Sequence, residues 1–569
     1  MSIQTTISDT SAESMADLLT AVRSQTPYQE YSYLDGDIQT IRFPFGYVSD
    51  YISNSHLINY FTPSCYTALF LSTPTGSGKT TFVFNTVLPY VKEKGGRLAI
   101  LCSRTALKNQ YQLDAAKRED PELLKTQTSY GLKKLRQIGN VDIFTYQEFF
   151  ELAQIPLQGN SFSKKYKAVI FDEAHFFVQD ASFNCFTLEI LEMCLRLFKH
   201  CPRFYLTATP EICLSAIVEA EFSHRSCILP YTKGYTRNRF YLIYMEKNYE
   251  YIDPCFFKED SEIIELIKKD TSSCKYLICV DSKKKGLQLE AALGEDIADY
   301  IDAEAKNSAK ADTVDNMVSS GRFDSKVLIA TSFLDVGINL TDIDLTKIVV
   351  YSTNITHFIQ SIGRKRKAGS EKINLYIKVP STSEIKNMLK AINEKIYRLS
   401  ESFFPVEKKF YSNICFPYYC KSNPENTTTI LCNSLYQNYL DFKKHELEDL
   451  LSCADSQNIV ENGLALCFLK WLNLNPDSQL HWLGISPDDK DKCLTVILDK
   501  YINKVLSKDE LYEFLQEFAE AYAETHEDKI FSHQKPNRQK IEDYIDKNIP
   551  SYRITHTNTT PRNYEIKKG

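Results

Sequence analysis

Two short segments of this chain carry side chains suited to handling a phosphate chain: Thr73-Pro74-Thr75-Gly76-Ser77-Gly78-Lys79-Thr80 and, further along, Asp172-Glu173-Ala174-His175. In the first, small residues let the backbone fold tightly around phosphates. Lys79 is of a length to reach the outer phosphates, the Thr80 hydroxyl can ligate magnesium, and Thr75, Gly76, Ser77, Gly78 and Thr81 complete the cradle. In the second, the apolar run Ala168-Val169-Ile170-Phe171 reads as a buried strand that delivers Asp172 and Glu173 to its C-terminal end. Asp172 would hold the metal and Glu173 would activate water, so the implied chemistry is hydrolysis of a nucleoside triphosphate. Thr73 stands where the general phosphate-loop pattern has glycine. The tetrad taken alone reads equally well as a solvated strand end, and gains its meaning from following the phosphate loop.

The elements that must position these residues are legible as a rhythm. Apolar strand-like runs at Ala68-Leu71, Leu98-Cys102, Asp142-Phe144, Ala168-Phe171 and Phe204-Leu206 alternate with helix-like segments, which implies a parallel sheet with helices on its faces. A second series runs through Tyr276-Val280, Val327-Ala330, Lys347-Tyr351 and Asn374-Ile377. The expected fold is therefore α/β, with two tandem doubly wound parallel-sheet domains. The expected divisions are a polar N-terminal segment over 1–40, a nucleotide-binding domain over 41–225, a connector over 226–255 with a strand at Phe240-Met245, a second domain over 256–385, and a mainly helical accessory region over 386–569. In that last region helical spacing is read at Leu435-Leu451, Gly463-Leu472, Asp491-Val505 and Lys508-Tyr522.

A length of 569 residues accommodates several domains. The sixteen cysteines include no Cys-x-x-Cys pair, so neither a zinc ribbon nor, with only Cys102 between the two phosphate-handling segments, an iron-sulfur cluster in that interval is expected. The amino terminus lacks the basic-then-apolar order of an export signal, and no apolar run approaches a membrane span, so a cytoplasmic location is expected. A net charge of −6 argues against a chain coated in basic residues, although it leaves room for a basic groove. Lysines and arginines do gather at Lys283-Lys285, at Arg364-Lys367 and in the last forty residues. There, Lys535, Arg538, Lys540, Arg553, Arg562, Lys567 and Lys568 mix with Tyr544, Tyr552 and Tyr564, which reads either as a nucleic-acid surface or as a solvated tail.

Over approximately residues 65 to 380 the chain resembles the superfamily 2 helicases of the DEAH/DExH type, including those of bacterial and mobile-element lineages. Besides the two segments above, Ile100-Leu101-Cys102-Ser103-Arg104 resembles motif Ia, and Phe144-Thr145-Tyr146-Gln147 the element that precedes motif II. Leu206-Thr207-Ala208-Thr209-Pro210 resembles motif III, Thr331-Ser332-Phe333-Leu334-Asp335-Val336-Gly337-Ile338-Asn339 motif V, and Gln360-Ser361-Ile362-Gly363-Arg364-Lys365-Arg366-Lys367 motif VI.

The resemblance implies two RecA-like lobes that hydrolyse ATP with Mg2+ in the cleft between them. It makes Arg364 an arginine finger, with Arg366 as the second because Lys367 occupies the usual position and lacks the planar fork. Gln360 would contact the γ-phosphate or position water, and Asp335 and Gly337 would border the nucleotide. His175, Thr207 and Thr209 would couple the cleft to a nucleic-acid strand held by Ser103, Arg104, Thr145 and Thr331. Asn339 stands where many relatives have aspartate, and Gln29 is too far upstream to act as an adenine-reading glutamine.

The expected partner is nucleic acid, with DNA favoured over RNA by the form of motif III, and a protein partner could use the accessory region. The leading expectation is a helicase or translocase. The alternatives are an ATP-gated switch that separates no strands and the motor subunit of a larger nuclease or defence complex.

Overall fold

The computed structural model describes residues 38–53, 57, 67–154, 165–199, 201–228, 240–302, 317, 320–331, 340–365, 372–401, 415–419, 428–455, 460–475, 480–483, 494–495, 497–502, 504–525, 536–549, 552–556 and 564–568. These fall into two compact units, residues 1–480 and 481–569.

The first unit contains both lobes. Strands β1 (Ile38–Phe43), β2 (Ala68–Ser72), β3 (Arg97–Cys102), β4 (Gln137–Ile138), β5 (Val141–Thr145), β6 (Tyr166–Asp172), β7 (Arg203–Thr207) and β8 (Phe240–Met245) form one sheet in the order β1-β8-β2-β7-β6-β3-β5-β4. All its pairings are parallel except that of β4 with β5. Strands β2, β5 and β7 are buried along their whole length, as expected of a parallel sheet covered on both faces.

The order has one consequence for function. The C-terminal ends of β2, β7, β6, β3 and β5 lie side by side, so the segments that begin at Thr73, end at Thr207 and Asp172, and surround Ser103 and Thr145 all emerge on one edge.

The second lobe is an all-parallel sheet of β9 (Ile252–Phe257), β10 (Lys275–Val280), β11 (Ala298–Ile301), β12 (Val327–Ala330), β13 (Leu345–Tyr351) and β14 (Ile373–Lys378), in the order β11-β12-β10-β13-β14-β9. Helix Ile355–Ile362, which carries Gln360, follows β13, and Asn354 caps it by accepting from the backbone N–H groups of Thr356 and His357. Described residues of the expected connector contribute a strand to each sheet. Its strand, β8, lies between β1 and β2 of the first lobe, and β9 begins the second sheet's far edge.

Beyond β14 come helices Thr382–Glu401, Ser434–Asp455 and Val460–Trp471, with an antiparallel hairpin of β15 (Cys415–Tyr419) and β16 (Thr428–Cys432) among them. Helix Ser434–Asp455 touches both lobes. Its Leu435, Tyr436, Leu440 and Phe442 share an apolar cluster with Phe176 and Phe177 of the first lobe. Its buried Glu446 accepts a hydrogen bond of 2.5 Å from the backbone N–H of Ile355, at the start of the helix that bears Gln360, and is paired with Lys443. Phe468 and Trp471 of the next helix pack on Phe358 of that same helix, with ring centroids 5.5 Å away.

The second unit joins helices Lys508–Thr525 and Arg538–Asn548 to a three-stranded antiparallel sheet of β17 (Val505–Leu506), β18 (Tyr552–His556) and β19 (Tyr564–Lys568). The helical reading of Asp491-Val505 is corrected at its end: described helical residues stop at Tyr501, and Val505 begins β17. Two residues of strand between Lys504 and Ser507 leave no period to detect. Among the described residues no helix is long and apolar enough to cross a membrane, and no metal-ligating cluster is found.

Candidate nucleotide site

After β2 the chain turns through Gly76 and Gly78, both at positive φ (83° and 79°), where a side chain would be strained. Gly78 caps the helix begun by Lys79 and Thr80. The turn is anchored on both flanks, Thr73 N–H donating to the Thr207 carbonyl (2.9 Å) and Val48 N–H to the Ser77 carbonyl (3.0 Å).

Within this loop and its rim, several buried polar atoms lack hydrogen-bond partners among the described residues: Thr73 Oγ1, Ser77 Oγ, Lys79 Nζ and Thr209 Oγ1. Buried donors are rarely left unmade. Their convergence around a glycine turn fits an anionic ligand such as a triphosphate.

Strand β6 ends in Asp172, whose carboxylate accepts from the Tyr111 hydroxyl (2.8 Å) and from the backbone N–H of Glu173 (3.0 Å). Burial, reinforced by the neighbouring Glu173 charge, raises its pKa to about 6. A buried carboxylate with its pKa pushed up is a site that a divalent cation would relieve. Burial, with the Asp172 charge beside it, pushes the Tyr111 hydroxyl well above its ordinary pKa, so it stays protonated as the donor to Asp172. Glu173 sits at φ 52°, a strained conformation for a non-glycine residue, and its carboxylate lies 3.7 Å from Lys79 Nζ.

The second lobe reaches this site directly. Gln360 Nε2 lies 2.9 Å from His175 Nε2. Burial holds the His175 pKa down at about 4, so the ring is neutral, and with the amide donating to Nε2 the proton sits on Nδ1. Nδ1 is 3.2 Å from Thr207 Oγ1, which accepts from Thr209 N–H (3.1 Å), and 3.4 Å from Glu173 Oε2. The expected coupling residues thus form one chain with Gln360.

Gly363 approaches the phosphate loop so closely that a Cβ there would lie 2.5 Å from Thr75 Oγ1. Arg364 is buried at the same place, its carbonyl accepting from Leu340 N–H, while the Lys365 ammonium turns back to the Asp342 carbonyl (2.6 Å).

The residues expected to hold a strand are less uniform. Arg104 is paired with the buried Asp180, with Nη2 2.9 Å from Oδ1, and lies over the ring of Phe183. The Ser103 carbonyl accepts from Arg104 Nη1 (3.3 Å). The Thr145 hydroxyl caps helix Tyr146–Ala153 in a reciprocal box with Glu148 and is buried, so local helix capping explains this threonine. Thr331 lines a small polar recess with Asp281, Ser352, His357 and Ser361, and His357 there approaches Gln179 of the first lobe at 3.2 Å. Asp335, Gly337, Arg366 and Gln29 lie outside the described residues.

Two residues at the site were not read from the sequence. Tyr111 had no signal apart from its helix, whereas Tyr47 precedes the phosphate loop in a cluster of aromatics. Tyr47 is 60% exposed and lies against Gly78, where an added Cβ would be 3.2 Å from its ring.

Residues 56–212 match the family described as type III restriction enzyme, res subunit, and residues 258–369 match the helicase conserved C-terminal domain. No curated protein is similar enough to count as a match. Among solved structures, the chain is similar to the DEAD-box helicase Mss116 bound to ssRNA and UDP-BeF (14% identity, 77% of this chain and 89% of that one, TM-score 0.43). It is also similar to S. cerevisiae Dbp5 bound to RNA and ADP BeF3 (18%, 57% and 82%, TM-score 0.39). A third is the DUF1998 helicase MrfA bound to DNA (13%, 63% and 48%, TM-score 0.41). With two tandem parallel-sheet lobes, the phosphate loop in one and motif VI of the other brought against it, the chain belongs to the superfamily 2 helicases and is an ATP-hydrolysing nucleic-acid motor.

Proposed function

We propose that this motor is a DNA translocase or helicase that hydrolyses ATP with magnesium between its lobes. The observation that carries the reading is the approach of Gln360 and Gly363 to His175 and Thr75 across the cleft. The match of the first lobe to type III restriction enzyme subunits and the Leu-Thr-Ala-Thr-Pro form of residues 206–210 support DNA as the track.

In this mechanism the loop amides from Thr75 to Thr81 and Lys79 would hold the phosphates, and Asp172 and Thr80 would hold the magnesium. The metal supplies charge neutralisation on the phosphate oxygens. Glu173 takes a proton from the attacking water, and Arg364 neutralises charge on the transferring phosphoryl group when the cleft is closed. Gln360 reports closure to His175 and thence to Thr207 and Thr209. Tyr47 offers an exposed ring beside the loop for the nucleobase. Contacts to the track are dominated by phosphates, so binding is salt-sensitive and weakly sequence-selective.

The test is steady-state ATP hydrolysis with no polymer, single-stranded DNA, duplex DNA or RNA, with Glu173→Gln as the blank. Stimulation by DNA above RNA is expected. Equal hydrolysis under all conditions would overturn the motor reading, and stimulation by RNA alone would overturn the choice of track.

A further inference from the structure

Residues 481–569 form a compact unit with a connectivity of its own. Described helical residues from Leu494 to Tyr501 are followed by β17, helix Lys508–Thr525, helix Arg538–Asn548, and the hairpin of β18 and β19, whose second strand pairs with β17. Helix, short strand, two helices and a hairpin, with sheet order β17-β19-β18, is the connectivity of a winged helix, the helix-turn-helix variant that sets a strand pair beside its last helix. Residues 526–537 make its inter-helix link longer than a simple helix-turn-helix turn.

The unit has its own core. Leu498, Leu511, Phe514, Phe518, Ile541 and Ile566 are all buried in it, and Tyr544 packs against Tyr522 with ring centroids 5.0 Å apart. Arg538 fixes the last helix to the hairpin, donating to the Tyr564 hydroxyl (2.9 Å) with its guanidinium 5.2 Å from the ring centroid.

Charge is divided unevenly over this frame. From 481 to 529 there are 12 Asp and Glu against 6 Lys and Arg, whereas from 530 to 569 there are 8 Lys and Arg against 4 Asp and Glu; within the latter the last helix is balanced at three of each sign, and the hairpin strands, with Arg553, Lys567 and Lys568 against Glu565, are basic. On the hairpin, Arg553 stands directly opposite Lys567 and both are exposed. Like charges facing each other across strands oppose folding, although Glu565, 3.1 Å from Lys567, offsets part of this. Such a pair is relieved by an anion. On the helix, Lys540 is exposed in the first turn, while Glu542 is taken by Arg538 (3.3 Å) and Asp543 by Gln539 (2.9 Å).

We propose that residues 481–569 are a winged-helix module that binds duplex DNA, with the Lys540 end of helix Arg538–Asn548 at the major groove and Arg553 and Lys567 on the adjoining phosphates. B-form DNA admits a helix in its major groove, whereas the deep, narrow major groove of A-form RNA does not. This site belongs to the second unit and does not depend on which strand the lobes track.

The experiment uses the full chain without nucleotide and a blunt DNA duplex, followed by fluorescence anisotropy over a range of salt. Lys540→Glu with Arg553→Glu and Lys567→Glu is expected to weaken duplex binding by at least about tenfold. It is also expected to make the slope of log affinity against log salt shallower by about 2 to 3. ATP hydrolysis stimulated by single-stranded polymer stays unchanged. The three glutamine substitutions, which remove charge without reversing it, should give a smaller loss in the same direction and decide the matter if the glutamate variant misfolds. Duplex affinity unchanged in the glutamine variant would overturn the proposal, and equal affinity for a blunt RNA duplex would overturn the major-groove assignment.

Discussion

Gln360 and His175, 185 residues apart in the chain, meet at 2.9 Å across the cleft. The contact joins the second lobe to a neutral imidazole that also touches Thr207 and Glu173, so the state of the cleft is felt beside the carboxylate proposed to take the proton from water.

A double-mutant cycle measures that link. Gln360→Ala and His175→Ala should each lower polymer-stimulated ATP turnover more than unstimulated turnover. The double variant should be less impaired than the sum of the two, with a coupling of about 0.5 to 3 kcal/mol. Strict additivity in stimulated kcat would show that the two side chains act separately.

Gly363→Ala tests closure without removing any functional group. The new methyl would collide with the Thr75 side chain, so the second lobe must stand off from the phosphate loop. Displacement of reacting groups by about 1 Å can cost on the order of 10²-fold in rate. The expected result is a large fall in kcat with single-strand affinity in the absence of nucleotide preserved, and an unchanged kcat would mean that this approach is not needed for turnover.

The raised pKa of Asp172 sets a pH dependence. In the metal-free folded protein the carboxyl gains its proton as pH falls through about 6, above the ordinary aspartate value, so protons compete with magnesium below that pH. The magnesium concentration for half-maximal rate should be flat from pH 7 to 8 and rise toward roughly tenfold per unit well below pH 6. A requirement that stays flat down to pH 5 would remove Asp172 as the titrating ligand. The same shift favours the folded metal-free protein at acid pH: the folded state holds a proton the unfolded chain has already lost, and this advantage disappears as pH rises through about 6.

Glu446→Ala leaves Lys443 buried without its partner and the Ile355 N–H without its acceptor. Breaking a buried pair from one side costs about 3 to 5 kcal/mol. Thermal unfolding of the first unit should therefore shift down clearly, and Glu446→Gln, which keeps an acceptor oxygen for Ile355, should recover part of the loss. Equal melting of all three proteins would show that this contact contributes little.

The sheets were legible because parallel strands buried on both faces write continuous apolar runs such as Ala68-Leu71 and Val327-Ala330, and the phosphate loop was legible because Gly76 and Gly78 occupy backbone angles only glycine accepts readily. Tyr111 and Glu446 were not. Their roles come from tertiary contacts 61 and 91 residues away in sequence, which no local period encodes. Thr145 resembled a strand-binding motif, and its hydroxyl also caps a helix, a local preference that by itself selects the same letter. The hairpin of β18 and β19 was hidden inside a run of basic residues that reads as a tail when its partner strand is only two residues long.

Helix Ser434–Asp455 touches the first lobe through its apolar face and the helix bearing Gln360 through Glu446. Because it grips both sides of a joint that ATP must open and close, any molecule that binds this helix in one cleft state better than in the other must alter the affinity for nucleotide. By thermodynamic reciprocity nucleotide must alter the affinity for that molecule by the same factor. A ligand of this helix would therefore act on the nucleotide site without touching it.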